Sequence, residues 1–514
     1  EKGTRCSDFP SGFDYIKSLG VTHVQFLPIF DFRSVDEKRV KDSDYRKKPT
    51  FGAFNWGYDP ENYGLPEGSY SSDPFNGTVR IFELKSMIQA FNEAGIGVIM
   101  DVVFNHVNDG LHQSLGISVP GYFFRVEGYS GAGEDTASER EMFRKYMVDM
   151  LCFWLKEYKL SGFRFDLMGL HDVDTMNEIE RELKKIKKDV IIYGEGWQMY
   201  GADKMIPSSM CNASKMPGIG HFNDAFRCAV KGSAFDDNAP GFIHDGSHRE
   251  SVKFGIVGAT LHPDMNFLQV DGTANPNPWT KCTWNSVNYI EIHDNLTLND
   301  KIRLVEPGKS ETYYNQLGKM ALSLLLLSEG LPILHAGMEF LRTKEIPGDI
   351  LDSGAVFPDV AYSADDKAYL RNSYNVCDRI NALDWHRAYE KQDLVNYTKN
   401  LIALRKAHPA FRIPSGKLLA EALEFLDNEK EKLPEQILAW KIDGKLAGDT
   451  WSNVLIFANP LDEEVPFSLP ELSENKKWFC VTDGTDFTQK EAEISAVDEK
   501  FPLKGKSVSV FASK

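Results

Sequence analysis

Over roughly the first 400 residues, short β-branched runs alternate with longer stretches whose apolar positions recur at helical spacing. The pattern predicts strands at Thr22–Pro28, Gly97–Phe104, Gly162–Leu167, Val190–Gly194, Val287–His293 and Pro332–Ala336. It predicts helices at Ile81–Ala94, Ser138–Tyr158, Asp174–Lys188, Glu311–Ser328 and Asp393–Lys406. Strands separated by helices imply βαβ units and a parallel sheet. A run as continuously apolar as Val98-Ile-Met-Asp-Val-Val-Phe104 implies a strand covered on both faces.

At this length the pattern favours an α/β fold of the (β/α)8 TIM-barrel type, with an open doubly wound sheet as the alternative. After residue 414 the rhythm changes. Leu438–Ile442, Val454–Asn459, Trp478–Thr482 and Ser507–Ser513 are short strands between turn-rich or charged loops, the signature of a small all-β sandwich. The expected organisation is a catalytic barrel over residues 1–413 and a β-sandwich over 414–514. A short excursion at about 107–137 interrupts the barrel, and a Gly-, Asp-, Asn- and Pro-rich stretch at 229–280 reads as a long, partly mobile one.

Composition narrows the partners. A net charge of -17 argues against nucleic acid and suits a neutral ligand, which needs no electrostatic steering. The longest apolar run, Met320 to Leu327, is too short for a membrane span, so no membrane insertion is expected. The seven cysteines, at 6, 152, 211, 228, 282, 377 and 480, are scattered and lack any C-x-x-C, which speaks against a disulfide framework or zinc. They tilt the expected location towards a reducing compartment such as the cytoplasm. The opening Glu-Lys-Gly-Thr-Arg-Cys has no signal-peptide pattern.

In a barrel enzyme, polar groups at the C-terminal ends of strands point into the site. Four candidate strands end in such groups: Asp101-Val-Val-Phe-Asn105-His106, Gly162-Phe-Arg164-Phe-Asp166, Tyr193-Gly-Glu195-Gly-Trp197 and Tyr289-Ile-Glu291-Ile-His293-Asp294-Asn295. Any one acid could simply cap the following helix. Together, Asp166, Glu195 and Asp294 supply what glycoside hydrolysis needs: two carboxyl groups in opposite protonation states and a third acid to hold charge and geometry. Arg164 lies two residues before Asp166, on the same strand face, where a guanidinium favours the carboxylate form. His106 and His112, without a third ligand, do not make a metal site. Gly131-Ala-Gly133 follows no strand and is not a dinucleotide loop.

These four segments resemble, in order, the four sequence regions of the alpha-amylase superfamily. Asn55-Trp56-Gly57-Tyr58-Asp59-Pro60 resembles the marker of type I pullulanases, with Phe54 where tyrosine usually precedes it. Gly194-Glu-Gly-Trp197, Phe165-Asp-Leu-Met-Gly-Leu-His-Asp172, His335-Ala-Gly337 with Glu339 to Lys344, and Asn372 to Asn375 with Asn381 to Trp385 extend the likeness over most of residues 1–413. The resemblance implies a retaining hydrolase of alpha-1,6 branch linkages in branched alpha-glucans such as pullulan and amylopectin. Asp166 would be the nucleophile, Glu195 the acid and then base, and Asp294 the transition-state stabiliser. Two carboxyls roughly 5–5.5 Å apart mark retention. His106, Arg164 and His293 would hydrogen-bond the glucose, Tyr58 would stack beneath it, and Trp56 and Asn295 would also line the substrate site. Trp197 would offer a platform on the acceptor side, or else be a core tryptophan. No cofactor is required, a structural calcium is allowed, and a monomer is expected. An alpha-1,4 or isoamylase-like relative, a transglycosylase, or a non-catalytic glucan-binding barrel are the competing readings. Met338, Ile292 and Ala225 depart from residues common in the family. The strand at Thr22–Pro28 corresponds in the family to barrel strand two, so a chain lacking strand one and the modules before it is expected.

Overall fold

The computed structural model describes residues 9–199, 205–472, 477–488, 493–494 and 500–514. Cys6 and the first residues of the chain lie outside the described residues. A parallel sheet of seven strands forms the centre. The strands are β1 (His23–Phe26), β2 (Gly97–Val102), β3 (Gly162–Phe165), β4 (Ile191–Gly194), β5 (Gly220–Phe222), β6 (Ser286–Asn288) and β7 (Leu331–Pro332). They pair in chain order and all in parallel, as strands joined by crossover connections do. This is the TIM-type α/β fold. Among the described residues β1 pairs only with β2, and β7 only with β6.

Register does the positioning. Asp101 of β2 is level with Arg164 of β3, which is level with Tyr193 of β4. Strand β2 is buried on both faces along most of its length, from Val98 to Val102. Helices cover the sheet because their apolar stripes need burial and their ends are capped. Asp172 starts the helix Val173–Ile186 by accepting from Thr175 N at 2.9 Å, and Ser310 caps the helix Glu311–Leu327. No helix among the described residues is long and apolar enough to cross a membrane.

Beyond residue 422 an antiparallel sheet runs in the order Leu423–Phe425, Leu438–Asp443, Asn453–Asn459, Ser507–Ser513, Trp478–Thr482 and Glu493–Ile494. A two-stranded sheet of Val465–Ser468 and Lys500–Leu503 packs on it. Side chains alternate along these strands. Ala439, Leu455, Phe457 and Phe511 face the smaller sheet. Trp440, Ile442, Val454, Ile456, Val508 and Val510 face the other way and share one buried cluster with Leu317, Leu324 and Leu325 of the helix Glu311–Leu327.

Three local expectations differ from the structure. Strand β5 is three residues long, Gly-His-Phe, and has no β-branched residue to announce it. The strands expected at Val287–His293 and Pro332–Ala336 end at Asn288 and Pro332, and the first gives way to the loop that carries His293, Asp294 and Asn295. The 229–280 excursion carries helices of its own. Its helices Phe242–Asp245 and Arg249–Ile256 insert Phe242, Ile243, Val252 and Ile256 into the main core. Polar residues in the intervening turns dilute that apolar signal when the stretch is averaged.

Candidate active site

The C-terminal ends of β2, β3 and β4 meet around Arg164, whose side chain is wholly buried. Its Nη1 lies 2.9 Å from Asp101 Oδ1 and 3.1 Å from Asp166 Oδ1, and its Nη2 lies 2.7 Å from Glu195 Oε1. One cation therefore faces three carboxyls from three neighbouring strand ends. The first two contacts are hydrogen bonds; the third is close but lacks hydrogen-bond alignment. Asn105 Nδ2 donates to Asp166 Oδ2 at 2.7 Å and to the Asp166 carbonyl at 2.8 Å, fixing the carboxylate from the opposite side. His106 Nδ1 contacts Asn105 Oδ1 at 2.5 Å and extends that chain.

The environments of the acids differ. Burial pushes Glu195 well above the usual glutamate range, and the charges of Asp166 and Asp294 add to the push while Arg164 opposes it. Leu167 N donates to Glu195 Oε2 at 2.9 Å and holds the carboxyl in place. Asp101, completely buried, is pushed up to about 7 by desolvation even though Arg164 pulls the other way. Tyr58 OH donates to Asp101 Oδ2 at 2.7 Å.

Tyr58 and His293 are stacked, with ring centroids 4.9 Å apart and planes 22° off parallel. Trp56 meets the edge of His293 at 4.7 Å. Burial first, and then the neighbouring charges of Arg164 and Lys344, push His293 well below the usual histidine range, so an uncharged imidazole approaches Asp294 Oδ2 at 3.5 Å. Asp294 is about half exposed and sits in the electrostatic field of Glu195. Asn295 adopts φ 62°, the left-handed region that asparagine tolerates best after glycine. Trp197 is half-buried, packs against the cluster of Tyr193, Phe222 and Tyr289, and lies 5.9 Å from the Arg227 guanidinium.

All ten residues singled out from the sequence lie at the C-terminal ends of the strands or on the loops that follow them. Arg164 joins Asp166 to Glu195 directly; Asp294, His293, Tyr58 and Trp56 form a second group linked to the first through Asp101 and Arg164. The reading missed two partners, Asp101 and Asn105. A charge in the middle of a strand buried on both faces was the available signal for Asp101.

Comparison with known proteins separates the two halves of the chain. The alpha amylase catalytic domain matches residues 10–114, and the isoamylase C-terminal domain matches residues 414–512. Pullulanase from Bacillus subtilis strain 168 is 36% identical over 471 residues, covering 90% of this chain and 58% of that protein. The chain thus spans little more than half the length of that curated relative. The crystal structure of pullulanase from Paenibacillus barengoltzii in complex with maltohexaose and alpha-cyclodextrin superimposes with a TM-score of 0.82 at 38% identity, covering all of this chain and 72% of that one. The chain belongs to the type I pullulanase family. The type I pullulanase of Bacillus subtilis strain 168 complexed with maltose gives a TM-score of 0.83 at 34% identity, over 98% of this chain and 64% of that one.

Pullulanases, like other glycoside hydrolases of the alpha-amylase family, need no organic cofactor. The structure offers one group of acids close enough to hold a cation, Asp31, Glu37 and Glu67, whose oxygens lie within 4.8 Å of one another among the described residues. Arg80 already occupies it. Its Nη2 is 2.7 Å from Glu37 Oε2 and its Nη1 3.5 Å from Asp31 Oδ1, while Glu67 accepts from Phe32 N and Ser69 N. A calcium ion would have to displace a guanidinium that neutralises the same carboxylates, so these residues do not fit one. His112 is exposed on Asp109, and His106 is buried against Asn105.

Proposed function

We propose that residues 1–413 form the catalytic unit of a retaining glycoside hydrolase that cuts alpha-1,6 branch linkages in pullulan, amylopectin and limit dextrins. Residues 414–514 form a β-sandwich packed on it. The contact of one buried guanidinium with both Asp166 and Glu195 carries this reading, because it ties Asp166 and a Glu195 carboxyl of raised pKa to the same point.

In this reading Glu195 donates its proton to the glycosidic oxygen as Asp166 attacks the anomeric carbon. The bond to the leaving chain breaks and a glucosyl ester forms on Asp166. The ionised Glu195 then takes a proton from water, whose oxygen attacks the same carbon and releases Asp166, so configuration is retained. Asp294 stabilises the positive charge on the sugar ring, with Arg164 and His293 around the same glucose. The stacked Tyr58 and His293 give that glucose a flat floor beside Trp56, His106 and Asn295, and Trp197 lines the acceptor side. A branched alpha-glucan is the partner, and the chain acts as a monomer without a required metal.

The deciding experiment is product analysis on pullulan with the full chain. Maltotriose as the main product is expected, whereas panose or isopanose would reject the alpha-1,6 assignment. Asp166→Asn should abolish turnover; unchanged hydrolysis would refute the nucleophile.

A further inference from the structure

The loop that carries Asp294 is held from beneath by two buried ammonium groups. Lys344 Nζ donates to the carbonyl of His293, to that of Asn295 at 2.9 Å and to that of Arg371 at 3.2 Å. Lys231 Nζ donates to the carbonyl of Leu296 at 2.9 Å. Lys344 is 1% exposed and Lys231 2%. An ammonium has three N–H donors, and Lys344 gives all of them to backbone carbonyls, two of which flank Asp294. Glu291 closes the same loop from the other end, accepting from Leu298 N and from His335 Nδ1 at 2.7 Å.

Burying a cation on neutral carbonyls is costly, and an apolar side chain of the same length would fill the space without that cost. Lys344 faces Arg342, Asp294, Asp300, Glu291 and the ring of Trp56; Lys231 faces Glu291, Arg227, Cys228 and Lys344. Burial pushes Lys344 down to about 8 and Lys231 down to about 7. Asp294, by contrast, has a half-exposed carboxylate whose described contact is the 3.5 Å approach to His293. Its side chain is not wedged by packing, so its place is set by its backbone. The left-handed turn at Asn295 lets the carbonyls of His293 and Asn295 converge on a single nitrogen.

We propose that Lys344 and Lys231 are positioning residues that lock the backbone of residues 293–296, and through it the Asp294 carboxylate, for the transition state. This rests on the role given to Asp294 above, and the test separates the two. Lys344→Met and Asp294→Asn are measured singly and together, in the full chain, as kcat and KM on pullulan. Lys344→Met is expected to lower kcat about 100-fold, the scale of a 1 Å misplacement, while KM stays within about threefold. In the Asp294→Asn background the same change should cost less than about threefold, because the group it positions is already gone. A merely structural lysine would multiply the two losses, or lower the melting temperature and leave kcat per folded site intact; either result overturns the proposal. Asp294→Asn retaining full activity would overturn both the proposal and the reading beneath it. Should Lys344→Met fail to fold, Lys231→Met, which leaves the three-carbonyl site intact, decides by the same cycle.

Discussion

Replacing Arg164 by Met is the sharpest test of the charge arrangement. The guanidinium is wholly buried and lies within 3.1 Å of Asp101, Asp166 and Glu195. Removing one partner from a buried ionic group leaves uncompensated charge and costs about 3–5 kcal/mol. The carboxyls respond by holding on to protons, so the folded variant keeps protons that the folded parent gives up above about pH 7. Asp101, pushed up to about 7 even with the guanidinium beside it, rises further without it. A folded state that binds an extra proton loses stability as pH rises and regains it as pH falls. The change approaches about 1.4 kcal/mol per pH unit above the pKa that Asp101 has in the parent, so the penalty grows by roughly 2 kcal/mol between about pH 7 and pH 9. Urea unfolding of parent and variant at both pH values measures it. A penalty below about 1 kcal/mol near neutrality, or one that does not grow as pH rises, would show that Arg164 does not hold these carboxyls.

Glu195→Gln should lose most activity on pullulan but less on substrates with good leaving groups, which need little protonation, and equal losses would count against Glu195 as the acid. Because burial raises the pKa of Glu195, kcat/KM of the parent should fall on its alkaline side as that carboxyl ionises, and Asp294→Asn, by removing a like charge, should move this limb to lower pH; an unmoved limb refutes the coupling. Tyr58→Phe deletes the 2.7 Å hydrogen bond to Asp101 while keeping the ring, and should cost about 1.5–3 kcal/mol of stability by urea unfolding, with KM changed little. Dialysis against a chelator should leave the melting temperature unchanged, since Arg80 neutralises the Asp31 and Glu37 carboxylates; a fall would point to a cation site elsewhere.

The candidate acids were legible because a TIM-type sheet gathers the ends of its strands into one place, so acids far apart in the chain could be grouped from strand position alone. The marker around Trp56 and Tyr58 could be read by resemblance, and the structure stacks Tyr58 on His293. What stayed hidden depends on contacts across the sheet. Strand β5, Gly-His-Phe, has only Phe222 to favour a strand and is held by hydrogen bonds to β4 and β6 on both sides. Asp101 looked like one charge in an apolar run; its meaning comes from being level with Arg164 on the next strand. Lys231 and Lys344 carry no local signal, since their targets are carbonyls of another segment.

The alternation of side chains in the six-stranded sheet makes it a party wall: one face serves its own sandwich, and the other, with Val508, Val510 and Ala512 on the strand that meets the helix Glu311–Leu327, serves the barrel side. Cutting the chain ahead of that wall would not free a self-sufficient barrel. It would leave the leucines of that helix facing water, a sticky patch that invites aggregation. Anyone exchanging the C-terminal module for that of a relative would therefore have to carry over the side chains of this face together with the helix they were shaped against.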